Sequence, residues 1–231
     1  MPPILRFVCG WLFLCAVTVS AAEQIIVSGG CALIYHEKTK PRPHDRYWGN
    51  FIDTAALRLS QIRPTLTDAD RLTWLVYRPA YVARGREDRV DYLAAIQAAA
   101  AKTGATLFWF DTSRELINYL NKGQDRDRLK ISRFEYFGHS NMLCIMFDYS
   151  SDLGGASPAY GILHQNDLRD LDRDSFAKGA YVKSWGCHSG ESYSAEWRRR
   201  TGVPMIGAIG KTDYSRGGLP FLSSPGGKWH Q

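Results

Sequence analysis

The sequence predicts an α/β fold: a mainly parallel sheet flanked by helices on both faces. Three observations predict it. At 231 residues with 45% hydrophobic content the chain can bury a real core, and it is too apolar to be disordered. Short apolar runs alternate with segments of helical period, as parallel strands alternate with the helices that cover them. Several of the apolar runs stop at glycine, where a strand gives way to a turn. The 21 glycines and 10 prolines have no period and no internal repeat is present, which removes collagen-like and low-complexity readings.

Residues 1–22 read as an export signal. Arg6 lies in a short basic region, Phe7 to Val19 is apolar, and Ser20, Ala21 and Ala22 are small residues suited to cleavage, so the mature chain is expected to start near Glu23. The apolar run is shorter than the roughly 20 residues that cross a bilayer. Neither Cys9 nor Cys15 follows the small residues of a lipid-attachment site. The expectation is therefore an exported protein, periplasmic or secreted, with no stable membrane insertion after cleavage.

Elements then follow in order. Gln24 to Ser28 is a buried strand ending in Gly29-Gly30; Trp48 to Ile62 has helical spacing; Arg71 to Tyr77 is a strand. Val90 to Lys102 is an alanine-rich helix stopped by Gly104, Ala105 to Phe110 a strand, and Ser113 to Asn121 a helix with Glu115 in its first turn. Ile131 to Phe137 is a strand running into Gly138-His139-Ser140-Asn141, and Leu143 to Tyr149 is extended. Ser151 to His164 reads as a loop, Leu168 to Phe176 as a short helix, and Gly179 to Trp185 as a strand entering Gly186-Cys187-His188-Ser189-Gly190. A helix over Ser192 to Arg200 and a strand over Val203 to Ile209 complete one domain, 23–214. Residues 215–231, rich in Gly, Pro and Ser, read as a loop-rich tail.

Charge argues against nucleic acid as a partner. The balance of 29 basic and 23 acidic residues is a mild bias. The basic residues are interleaved with acids, as in Arg84-Gly-Arg-Glu-Asp-Arg89, which reads as solvated surface. Arg198, Arg199 and Arg200 decorate an exposed helix end. Cleavage of the leader leaves Cys31, Cys144 and Cys187. Cys31 and Cys144 can pair across one sheet, but the odd count leaves at least one thiol available for chemistry.

Chemistry in an open parallel sheet lies outside the carboxyl ends of the strands. Two strands end there in reactive side chains flanked by glycine, one in Gly138-His139-Ser140 and the other in Gly186-Cys187-His188. If the strands are neighbours, a thiol and an imidazole meet, as a thiolate nucleophile with proton management requires. On the alternation of a strand, His188 would point away from Cys187. Asp148 and Glu191 are the nearby acids that can select a basic substrate side chain. A zinc site from His139, Cys144, Cys187 and His188 lacks any C-x-x-C or H-x-x-x-H spacing, and neither metal nor organic cofactor is expected.

A strand ending in Gly138-His139, followed at similar spacing by a strand ending in Cys187 with Ser189-Gly190 behind it, resembles the caspase-hemoglobinase fold of caspases, metacaspases, legumains, gingipains and clostripains. The resemblance runs from about Gln24 to Ile209 and is sharpest from Phe134 to Trp197. It implies a caspase-like sheet and a cysteine peptidase acting on peptide or protein substrates. In that group His139 would be the acid/base and Cys187 the nucleophile. The N–H groups of Cys187 and Ser140 would receive the oxyanion. The residue after the histidine is usually Gly, and here it is Ser140. Two other classes stay open: a serine hydrolase using Ser140 in an elbow like G-x-S-x-G with Met142 in place of the last glycine, and a non-catalytic binding module on the same fold.

Overall fold

The structure, a computed structural model, describes residues 21–32, 42, 46–148 and 161–231. The predicted leader lies outside the described residues apart from Ala21 and Ala22, as does the predicted loop apart from residues 161–164. The chain forms an α/β architecture around a seven-stranded, mostly parallel sheet, consistent with a caspase-like arrangement.

Each strand follows from its pattern. In β1 (Ala22–Ser28), Ile25 and Val27 enter the core on one face and Ile26 the core on the other. A strand buried on both sides reads as a continuous apolar run. β2 (Arg71–Tyr77) and β3 (Thr106–Phe110) extend the sheet on one side of β1. β4 (Lys130–Phe137) pairs with the other side of β1, and a small antiparallel sheet of β5 (His139–Ser140), β6 (Cys144–Met146) and β7 (Ile162–His164) sits beyond it. β8 (Phe176–Ser184) and β9 (Met205–Ile209) continue the parallel order.

The helices divide between the two faces. α1 (Asn50–Ile62), α2 (Arg78–Asp88) and α3 (Tyr92–Thr103) share a core with Ile26, Trp74, Val76, Phe137 and Trp185. α4 (Ser113–Lys122) and α5 (Ser192–Thr201) pack with Ile25, Val27, Phe134, Tyr136 and Met205 on the opposite face. α4 is capped by Thr112, which accepts the Glu115 N–H, so that Ser113 is the first helical residue, and Gly104 ends α3 in the left-handed conformation.

Four expectations are corrected. α2 was expected as no element. Pro79 opens it, and Arg84, expected in solvent, is buried, donating to Ala32 O and Arg46 O at 2.7 Å each and to Asp88. The short helix expected over Leu168 to Phe176 is two 3-10 turns, with Phe176 already in β8. The tail is not loosely held: β10 (Thr212–Asp213) pairs with β11 (Phe221–Leu222), and β12 (Lys228–His230) adds an antiparallel edge strand to the main sheet beside β9. The fourth, His188, belongs to the site.

The amino end of the sheet holds a buried ion pair. Glu23 is fully buried, with Arg126 Nη1 at 2.5 Å from Oε2 and with Thr73 and Tyr119 hydroxyls donating to Oε1 at 2.6 and 2.8 Å. A buried carboxylate is tolerable only with this degree of compensation. Among the described residues, no helix is long and apolar enough to cross a membrane.

Candidate active site

From β1 the chain moves to β2 and β3 on one side and then to β4, β8 and β9 on the other. The strand order therefore reverses between β1 and β4, and ligands bind such sheets outside the carboxyl ends at that point. A cavity of about 590 Å³ lies there, within the usual range for a binding site. Its wall includes Cys31 from beyond β1, His139 and Ser140 from β5, Cys187 and His188 from the turn after β8, and Thr212 and Asp213 from β10.

The two predicted strand ends are joined directly. β4 and β8 are parallel neighbours, and the Trp185 N–H donates to Tyr136 O at 2.9 Å. Trp185 stacks on Phe137 at 5.7 Å with the rings 9° apart, so the residues preceding Gly138 and Gly186 are fixed together. Ser140 Oγ donates to Cys187 O at 2.6 Å. Gly186 makes that contact sterically feasible, since a Cβ there would lie 2.2 Å from Ser140 Oγ. Gly138 has a similar cause: its Cβ would meet the buried Tyr136 hydroxyl, which donates to His139 O at 2.8 Å and Met146 O at 3.0 Å.

The loop after β9 closes over the sulfur. The Thr212 N–H donates to Cys187 Sγ at 3.4 Å, while Thr212 Oγ1 lies 3.6 Å from the sulfur and donates to Trp185 O at 2.8 Å. Tyr214 accepts the Gly138 N–H and donates to Trp185 O, and burial pushes its phenol well above the usual range, so it remains a donor. The His139 ring meets Phe51 of α1 edge to face at 4.9 Å. Asn141 donates to Cys144 O across the hairpin, so antiparallel alternation turns the Ser140 N–H away from β6. The His188 N–H is taken by Gly210 O, whereas the Cys187 N–H has no backbone acceptor among the described residues.

Cys187, His139 and Ser140 thus line one cavity, with Ser140 bonded directly to the Cys187 carbonyl. Asp148 and Glu191 do not line the cavity. Glu191 instead holds His188 Nδ1 at 2.7 Å. The alternation that would turn His188 away from Cys187 does not extend to it, because its φ is positive at 56°, and both residues line the cavity. Sequence reasoning also missed Asp213, the only carboxylate among the described lining residues, which Arg42 meets at 3.2 Å. Its signal was available, because the carboxyl-end rule applied to β9 leads through Gly210 to Lys211-Thr212-Asp213. Ser140 Oγ is occupied with Cys187 O, and the chain after it enters β6 and not the helix an elbow requires. Cys31, Cys144 and Cys187 are free thiols, the first two buried. No group of three or more metal-ligating side chains forms among the described residues.

Comparison of the chain with family models, with curated proteins and with solved structures returned no match at the level taken as meaningful.

Proposed function

We propose that this protein is an exported caspase-like cysteine hydrolase, a peptidase acting on peptide or protein substrates by acyl transfer through Cys187 and His139. One observation carries the reading: Cys187 and His139 line one cavity, each just beyond the carboxyl end of one of two adjacent parallel strands. His139 takes the thiol proton as the sulfur attacks the scissile carbonyl carbon. The resulting oxyanion is received by the N–H groups of Cys187 and Ser140. The imidazolium then gives its proton to the leaving amine, the C–N bond breaks, and a thioester on Cys187 remains for water to hydrolyse. Thr212 steadies the sulfur between these steps. No cofactor enters this chemistry.

Asp213 gives the cavity a preference for substrates with a cationic side chain, the charge that Arg42 already presents to it. The test is cleavage of a mixed peptide library by the wild-type protein and by Cys187→Ala, His139→Ala and Ser140→Ala. Turnover lost in the first two and largely retained in the third is expected. The reverse ranking of Cys187→Ala and Ser140→Ala would transfer the nucleophile to Ser140. Equal, slow alkylation of all three free thiols with no cleavage by the wild type would leave a binding module.

A further inference from the structure

His188 holds a conformation that side-chain-bearing residues avoid, with φ at 56°. It is fixed by a dense set of hydrogen bonds. The His188 N–H donates to Gly210 O at 2.7 Å, Ser189 Oγ donates to Gly186 O at 3.0 Å, and the Glu191 N–H returns to His188 O at 3.3 Å. Unfavourable backbone maintained this firmly beside a nucleophile is a mark of function. His188 lines the same cavity as the preceding Cys187.

That imidazole is also oriented. Glu191 Oε1 lies 2.7 Å from His188 Nδ1. A carboxylate can only accept, so the neutral ring carries its hydrogen on Nδ1 and leaves the Nε2 lone pair free, the tautomer of a general base. The side chain is 37% exposed, so water reaches it. Two histidines therefore line the cavity, His139 from the β5 side and His188 on the nucleophile's own turn. Acyl transfer needs proton management twice, for the leaving amine and then for the attacking water.

We propose that His188, oriented by Glu191, is the general base that hydrolyses the Cys187 acyl-enzyme, an assignment that rests on the reading of Cys187 as nucleophile. The water oxygen bonds to the thioester carbon while one water proton passes to His188 Nε2. The tetrahedral intermediate collapses with the C–S bond electrons going to sulfur. His188 returns its proton to the thiolate, and the product leaves as a carboxylic acid that ionises to solvent. Cys187 and His188 are regenerated, and no co-reactant besides water is required. His188 is then a catalytic residue and Glu191 a positioning residue.

p-Nitrophenyl acetate, which acylates thiols without demanding a specific side chain, separates the two halves. The wild-type protein should release one burst of p-nitrophenolate per active Cys187 and then turn over slowly. His188→Gly fits the left-handed backbone, so folding is not at issue. It should keep the burst and lose steady-state turnover by about 100-fold, with added imidazole restoring part of it after subtraction of the Cys187→Ala background. Glu191→Gln, which keeps a hydrogen-bonding side chain but no charge, should fall between. An unchanged steady-state rate in His188→Gly, or a burst lost together with it, overturns the assignment. Absence of a burst in the wild-type protein overturns the Cys187 reading itself and this assignment with it.

Discussion

Replacing Gly186 by alanine tests whether the two strand ends are held as one unit. The added Cβ would lie 2.2 Å from Ser140 Oγ, 2.9 Å from Ser140 Cβ and 3.0 Å from Gly138 O, all inside the 3.4–4 Å of ordinary contact. Gly186 has no positive φ, so the effect is steric and not conformational. Relieving the clash forces Ser140 Oγ off the Cys187 carbonyl and pushes the His139 hairpin away from the nucleophile turn. Overpacking of this kind costs about 1–3 kcal/mol, and the lost hydrogen bond about 1 kcal/mol more. For a domain of this size each kcal/mol lowers Tm by about 2–4 °C. Urea denaturation followed by tryptophan fluorescence gives the stability change, and peptide turnover gives the loss of alignment. Ser140→Gly in the same chain removes both clashing side-chain atoms, so the double variant should recover most of the overpacking cost. The coupling between the two sites should be about 1–2 kcal/mol. Strict additivity, or a Gly186→Ala protein within about 0.5 kcal/mol of wild type, would refute the reasoning.

Three further outcomes are expected. Arg126→Ala leaves Glu23 charged and buried, and should cost about 3–5 kcal/mol in urea melts, while Glu23→Gln with Arg126→Met recovers much of it. Lys183, 8% exposed between the Trp185 and Trp229 rings at 3.5 and 3.8 Å, has its pKa pushed down to about 8, chiefly by burial and further by Arg58, against the opposing pull of Glu135. Between pH 8 and its unfolded value of 10.5 the unfolded chain binds the extra proton, so stability should rise with pH across that window by up to about 3 kcal/mol. Lys183→Met should be flat over the same window in pH-dependent melts. Asp213→Asn should lower kcat/KM for peptides with a cationic side chain about 10-fold relative to neutral ones, equivalent to about 1.4 kcal/mol, and equal losses on both would remove Asp213 from recognition.

Much of the architecture was legible because the period of the apolar residues carries it. Arg71 to Tyr77 is a strand with the bounds its pattern suggests, and the alanine-rich and Ser113 helices are bounded by their caps. What was missed depends on distant partners. α2 has a largely polar sequence, and its Arg84 is made buriable by carbonyls of Ala32 and Arg46, which no local pattern announces. β12 is only three residues long, and its identity as a strand comes from pairing with β9 and from Trp229 packing on Trp185. In the site, Gly138-His139 and Gly186-Cys187 stood out because glycine beside a reactive side chain at a strand end is a local feature. His188 was misplaced because alternation assumes extended backbone, and a single left-handed residue cancels that assumption. The departure at Ser140 also acquires a reason: its hydroxyl ties the histidine hairpin to the cysteine turn, and Gly186 supplies the room.

The central claim, a thiol and an imidazole acting as a pair, is tested most directly by alkylation of the folded protein with iodoacetamide near pH 6.5, read residue by residue by mass spectrometry. Cys187 should react ahead of the buried Cys31 and Cys144, and His139→Ala should slow Cys187 while leaving the other two unchanged. Because the exposure of Cys187 alone could account for its faster labelling, the His139→Ala comparison is decisive. A Cys187 rate indifferent to the loss of the imidazole would contradict the pairing.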